Sequence, residues 1–528
     1  MTEPLRPSPE GILPVAWAGA LVFVLALPPL AAGLVGFRLP AWFAIPAAAV
    51  LAAGVAWWPA RRLAPVIAAA LPTRPAAIAA LAIVTLLLLV PYARLSVYMA
   101  DASRPSHAFF KGSPFWLYHS CFSAYIEADR LSQDSSRSIY DAAQYENRTL
   151  DGFRVDTYYY PPPFLVQTRL IAVLAGDFLA QRAIWYALQC VTLTAVALFV
   201  CGWLGGRPGG TALLLLPLLY SAQPMLAGLQ YGNIQVTAVT TSALGVLLIA
   251  ARRPSAGGAL LALATVSKIF PGLLGVYLLA SRRWRGASWT AAWSVGLVAI
   301  ALMLVGVKPF ADFVQDALPR IHDLSAFPQA HWPRTAAVNL GVYGLTVKLR
   351  HLGLAWLDAD AGRRITDVYG LLLIAVTVVL GWREAHRPWN LARVGDRSHA
   401  LLVWLALVGL ASYRSPFVGF AYGGASTMWL LWLMTASARS QAGVWAGVAA
   451  FALTAVATSL VTPPVGGLPP PRVLLASLAV QVAMLGVNTA VIVRAFRWRP
   501  GTSDDPATVR STVWPSMPSP EAGQRAGA

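Results

Sequence analysis

Charge is what this 528-residue chain has little of: Asp, Glu, Lys and Arg together make up 12% of it, about half the share of an ordinary soluble domain. Hydrophobic residues make up 57%, and the mean hydropathy is +0.60. Water cannot be the solvent for that much apolar surface, so lipid must be. Acids are scarcer than bases, 22 against 40, which leaves a formal charge of +18. The bases are not pooled in one polar domain, which argues against a nucleic-acid partner. They sit in short clusters between apolar runs, as cytoplasmic loops of membrane proteins do. Cysteine is also scarce. Cys121, Cys190 and Cys201 are the only three, too few for a disulfide framework, and no pair has the spacing of a zinc site. A Gly-rich nucleotide motif is absent as well. The N-terminal MTEPLRPSPEG leads into an apolar run without a clear cleavage site, which predicts an uncleaved first span.

What the chain has is long apolar stretches. They run approximately Ile12–Phe37, Ala41–Ala60, Ala76–Leu95, Phe178–Leu204, Thr211–Ala227, Ile234–Ala251, Ala287–Val307, Ile365–Trp382, His399–Tyr413, Phe417–Ala436, Ala442–Val461 and Val473–Val493. A crossing needs about 20 residues, so about twelve transmembrane helices are expected. Arg61, Arg62, Arg74, Arg207, Arg252, Arg253, Arg383, Arg387, Arg439, Arg494 and Arg497 all fall on one side if both termini are cytoplasmic. Gly257–Ala280 is long enough to cross, yet basic clusters flank both of its ends and Ser267-Lys268-Ile269-Phe270-Pro271-Gly272 interrupts it. That pattern predicts two half-helices that enter and return, their broken backbone shielded by protein or a cavity.

The expected organisation is therefore an all-α polytopic membrane protein of the bacterial inner membrane. N-terminal spans fill 1–95, and a first outward (periplasmic) loop fills 96–163. A membrane core follows over 164–307, with a re-entrant segment at 257–280. Then come a second outer loop over 308–364, C-terminal spans over 365–495 and a disordered cytoplasmic tail over 496–528.

The outer segments hold the polar and aromatic side chains. Phe122, Tyr125, Ile126 and Leu131 share a helical face, amid the acids Asp101, Glu127, Asp129, Asp134, Asp141, Glu146, Asp151 and Asp156. Most of these acids are expected on a solvated surface, and one near the membrane boundary is expected to act as a general base. Tyr158-Tyr159-Tyr160 before three prolines is either an aromatic belt or the wall of a sugar or lipid-headgroup site. The amides of Asn233 and Gln235, in Gln230-Tyr231-Gly232-Asn233-Ile234-Gln235, either bond sugar hydroxyls or cap a turn. Lys268 either faces an anionic headgroup or snorkels to the inner surface. His331 and Arg334 either clamp a phosphate, or Arg334 pairs with Asp323 or a lipid.

From Phe109 to Leu349 these residues resemble the multi-spanning glycosyltransferases of the C superfamily, in particular the polyprenol-phosphate-mannose-dependent branch, family 87. Phe122, Tyr125, Ala128 and Leu131 fit that branch's acid-Phe-x-x-aromatic helix. Ile139-Tyr140-Asp141 and Tyr160-Pro161-Pro162-Pro163-Phe164-Leu165 fit its following motifs. Tyr231–Gln235, Ala256–Arg285 with Lys268 and Pro271, and Asn339–Leu349 are similar to its later segments. Two departures stand out. Cys121 occupies the usual acid position, four before Tyr125, and a thiol of ordinary pKa is a poor base for a sugar hydroxyl. Ser415-Pro416-Phe417-Val418-Gly419-Phe420 begins like a family Ser-Pro motif but lacks the aromatic residue and histidines that follow it there.

The resemblance implies a glycosyltransferase C-type fold. It implies transfer of a hexose, with mannose expected, from a polyprenyl-phosphate-sugar donor to a glycan or glycolipid acceptor on the outer face. With Cys121 in the acid's place, the nearest replacements for the catalytic carboxylate are Asp101 and Glu127. Tyr125, Tyr160, Asn233, Gln235, Lys268, His331 and Arg334 are the expected substrate contacts. The expected partners are the lipid-linked donor, the acceptor and membrane lipids. Neither cofactor nor metal is demanded. Two other readings compete. One is a transporter or flippase of lipid-linked sugars, which should show a second, matching interrupted span. The other is a relative that binds the lipid-linked sugar without transferring it.

Overall fold

The computed structural model describes residues 9–460 and 471–498. The expected tail from 499 onward and the Pro/Gly-rich loop over 461–470 lie outside the described residues. Of the described residues, 78% are helical. Among the described residues, eight helices are long and apolar enough to cross a membrane: Ile12–Gly36, Ala41–Ala68, Pro75–Ala100, Phe178–Leu204, Trp284–Val305, Ala359–His386, Val394–Ser412 and Pro471–Arg497. A 28-residue helix such as Ala359–His386 is roughly 42 Å long, enough for a core of about 30 Å. Large side chains on these helices face outward, among them Trp42, Leu87, Val295, Met303 and Leu371. A protein in water would hide them, whereas in lipid they are the solvated surface. At the centre is Val394–Ser412, 89% buried, while only 11% of Pro75–Ala100 is covered.

The structure differs from the twelve-run expectation in detail. The run Thr211–Ala227 is a bent pair, Gly206–Ser221 and Gln223–Tyr231, kinked by 57°. Pro224, at the start of its second half, and the extended Ala222 break the helix there. With that pair the spans number nine. Ile234–Ala250, Ala425–Ala436 and Gln441–Ala457 are shorter apolar helices. Two interruptions are therefore present where the sequence suggested one.

The second interruption lies within the segment 257–280, where a re-entrant pair is expected. Pro254–Ser267 ends at Lys268, whose backbone is extended, and Gly272–Ala280 starts after Pro271. Glycine lets Pro254–Ser267 nest between its neighbours. A Cβ on Gly257 would lie 2.4 Å from the Gly245 carbonyl oxygen, and one on Gly258 would lie 2.8 Å from the Thr290 nitrogen. Small residues of this kind replace the missing hydrophobic drive between helices in lipid.

One end of the bundle gathers the basic clusters. Arg283 pairs with Glu384, which also accepts from the Tyr277 hydroxyl at 2.5 Å. Arg397 bonds the Trp203 carbonyl, and His399 stacks on Trp498 at 4.3 Å. The polar loops gather at the other end. The first is not purely helical: β1 (His119–Ser120), β2 (Thr149–Leu150) and β3 (Phe153–Val155) form a small sheet in the order β1-β3-β2, with β1 parallel to β3. The second loop packs against the first through the Tyr159 hydroxyl, which donates to the Ala326 carbonyl at 2.7 Å, and through Tyr140 against Phe313.

Candidate active site

The amphipathic face read from the sequence folds as the helix Cys121–Leu131, with Phe122, Tyr125 and Leu131 buried. Phe122 stacks on Trp185 at 5.4 Å. The chain then turns at Gly232 with φ +64°, where a Cβ would meet Phe122 at 2.9 Å. Only glycine meets both demands. That turn delivers Asn233 to the start of the helix. Its Nδ2 donates to Cys121 Sγ at 3.2 Å while its Oδ1 caps the Gln235 nitrogen at 2.9 Å. The tyrosine–proline segment splits its roles. Tyr158 bonds its own loop, Tyr159 the second loop, and Tyr160 accepts a hydrogen bond from Tyr125 at 3.0 Å.

The β1–β3 ladder sets the rest. His119 pairs with Arg154 and Ser120 with Val155, so the next step of the same register puts Asp156 beside Cys121. The Asp156 Oδ2 lies 3.5 Å from His119 Nε2, and Cys121 Sγ lies 3.9 Å from the same nitrogen. His119, Arg154 and Cys121 flank Asp156, yet 40% of its side chain remains accessible. It therefore lines an internal recess. Burial raises its pKa, and the neighbouring His119 and Arg154 charges only partly offset that rise. The Cys121 thiol is pushed up to about 12, by burial first and by Asp156 second. A thiol held protonated in this way is no base.

Lys268 closes the recess from the helix break at 268–271. Its Nζ lies 5.5 Å from the Tyr160 ring and 5.2 Å from that of Tyr422. Among the described residues no carboxylate pairs with it. Gln167 of the helix Leu165–Leu174 ties down the break by donating to Ser267 Oγ at 2.6 Å. Tyr422 arrives by a route invisible in the sequence. Asn339 donates to the Pro416 carbonyl at 2.8 Å and accepts from the Val418 nitrogen at 2.9 Å. Two motifs noted separately thus lock together and hold Phe420–Gly423 at the site. Asn339 is held in turn by buried Lys348, which donates to its carbonyl at 2.5 Å and to Gln481 Oε1 at 2.6 Å.

The structure brings together Tyr125, Tyr160, Asn233 and Lys268 of the expected residues. Gln235, two residues beyond Asn233, is buried, its Nε2 without a partner among the described residues. Neither expected acid enters the recess. Asp101 is exposed, its carboxylate held down by the Ser103 hydroxyl first and then by Arg104. Glu127 is fully buried but committed to Arg148 at 2.6 Å and Arg130 at 3.5 Å. Six residues beyond Cys121, it points off the other side of their helix. His331 and Arg334 are exposed, and His331 bonds the Tyr343 hydroxyl at 2.8 Å in a separate small cluster. The sequence reading missed His119, Asp156 and Tyr422 as site residues. The only available signal was the two-residue spacing of His119 and Cys121, since strands of two and three residues leave no periodicity to read.

No curated protein matches the chain, and no solved structure does. The model of glycosyltransferase family 87 matches residues 158–392, the stretch that carries Tyr160, Asn233, Lys268 and both helix interruptions. Over that stretch the chain is similar to glycosyltransferase family 87, and the match supports a membrane glycosyltransferase.

Proposed function

We propose that this glycosyltransferase moves a hexose, mannose by family resemblance, from a polyprenyl-phosphate-linked donor to a glycan or glycolipid hydroxyl on the outer face of a bacterial inner membrane, with both termini cytoplasmic. It would do so in a glycosyltransferase C-type fold. One observation carries this reading: a carboxylate and an unpaired ammonium line one recess, at the end of the bundle opposite the arginine clusters.

Asp156 takes the acceptor hydroxyl's proton, and His119 holds the carboxylate in position. The acceptor oxygen forms its bond to the anomeric carbon as the bond from that carbon to the phosphate oxygen breaks. The configuration inverts. The phosphate leaves with both electrons of that bond, and Lys268 meets the added charge. Burial favours this last step, because few waters compete with the ammonium. Tyr125, Tyr160 and Tyr422 offer ring faces and hydroxyls to the sugar, and the break beyond Lys268 leaves room for the polyprenyl chain. Asp156 takes over the role first sought in Asp101 and Glu127, and His331 and Arg334 become contacts for the acceptor's outer portion.

The test is transfer of labelled mannose from polyprenol-phosphate-mannose in membranes holding the full chain. Asp156→Asn and Lys268→Met should each lower transfer by at least about a hundredfold, while Asp101→Asn leaves it near the wild-type level. Wild-type protein that neither transfers nor hydrolyses the donor overturns the reading. The bent pair Gly206–Ser221 and Gln223–Tyr231 supplies the second broken span that a transporter reading asks for. Donor that crosses vesicle membranes chemically intact would favour that alternative.

A further inference from the structure

The recess holds a second arrangement, which adds Cys121 to the His119 and Asp156 of the proposed transfer. We propose that His119, Cys121 and Asp156 form a binding site for a divalent transition-metal ion of the zinc class. The imidazole nitrogen, sulfur and carboxylate oxygen all lie within 4.8 Å of one another. Two of the separations are 3.9 Å for sulfur to nitrogen and 3.5 Å for nitrogen to oxygen. Around a tetrahedral zinc ion, with bonds of about 2.0–2.3 Å, ligand atoms sit about 3.3–3.6 Å apart. The third separation, sulfur to oxygen, is within 4.8 Å, so side-chain shifts of about 1 Å close the set, and the parallel β1–β3 ladder anchors His119 and the residues just before Cys121 and Asp156.

Three features favour this class of ion. The donor set mixes sulfur, nitrogen and oxygen, which suits zinc and its neighbours rather than the all-oxygen preference of magnesium or calcium. Three protein ligands leave a fourth position open to the recess, the arrangement in which zinc keeps water or substrate. The ligands are also oriented from behind. The His119 ring stacks on Phe115 at 5.6 Å and meets Tyr231 edge-on at 4.9 Å, and Asn233 Nδ2 already points a hydrogen bond at the sulfur. That donor would stabilise a metal-bound thiolate. Binding exchanges one proton for the ion. The Cys121 S–H bond breaks, its proton goes to water, and the thiolate with the Asp156 carboxylate neutralises the double charge. Lys268 then still presents a net positive wall to an anion.

The site shares Asp156 and His119 with the transferase reading, but its test needs neither donor nor acceptor. Purified full-length protein in nanodiscs, stripped by a chelator, is titrated with cobalt(II) alone and then with zinc(II). The expected result is one cobalt ion per chain, a thiolate-to-cobalt charge-transfer band, release of about one proton per ion, and displacement of the band by zinc. Cys121→Ser should abolish the band, and His119→Ala or Asp156→Asn should weaken binding at least about tenfold. A Cys190→Ser/Cys201→Ser double variant should keep both. Far-ultraviolet circular dichroism of each variant separates lost ligands from lost folding. Absence of the band in folded wild-type protein overturns the site, and so does a band that survives Cys121→Ser. Either result leaves the transferase reading standing, whereas intact metal binding without transfer sinks that reading alone.

Discussion

Asp156 and Glu127 are both enclosed carboxylates in the same outer loop, and their surroundings assign them opposite tasks. Glu127 is clamped by Arg148 and Arg130, so its charge is spent on structure. Glu127→Gln leaves those guanidinium groups without their anion and should cost up to about 3–5 kcal/mol. A fall in the thermal midpoint of the detergent-solubilised protein would register it, with transfer per folded molecule unchanged. Asp156 is accessible from the recess, and burial holds its pKa above the usual carboxylate range. Its base form exists only above that raised pKa. Transfer should therefore fall as pH drops through it, with the acidic limb displaced upward from the ordinary range near 4. Removing the opposing pull in His119→Gln should move the limb to still higher pH. A limb that stays put in a pH profile of kcat/KM would remove His119 from the positioning role.

Among the elements, the helix Pro254–Ser267 carries the most consequence, because its end holds Lys268 in the recess. Its approach to Ile234–Ala250 and Trp284–Val305 leaves no room for side chains at Gly257 and Gly258. Gly257→Leu should push the helix away and draw Lys268 back with it. The expected outcome is a protein that still inserts but loses transfer by at least about a hundredfold and becomes protease-sensitive near Lys268. Limited proteolysis of membrane vesicles reads this directly. Gly275 faces open space, so Gly275→Ala makes a matched control that should behave as wild type. The sequence made this element visible because Lys, Pro and Gly in an apolar run are costly in lipid and have few structural excuses. It hid the bend at Ala222, where two prolines, Pro217 and Pro224, in an otherwise apolar run pass for an ordinary span.

At the scale of the whole molecule, the basic clusters and the recess occupy opposite ends of one bundle. In the proposed orientation the arginine end faces the cytoplasm, since clustered arginines resist translocation. Alkaline phosphatase fused after Asp141 or Ala330 should be active, and fusions after Arg207 or Arg387 inactive. A fluorescent reporter that folds only in the cytoplasm should give the reverse pattern. Cytoplasmic signal from Asp141 would move the recess to the wrong side for a lipid-linked donor presented outside.

The sequence by itself determined that lipid is the solvent, where most spans lie, where a helix pair breaks, and that Tyr125, Tyr160, Asn233 and Lys268 merit attention. These follow from transfer free energies summed along the chain, which are local and additive. It could not decide which carboxylate reaches the ammonium. That choice rests on a parallel pairing of residues 119–120 with 154–155 and on Asn339 gripping Pro416 and Val418 across 77 residues or more. Contacts between distant segments depend on the closure of the whole bundle, and no window along the chain encodes them.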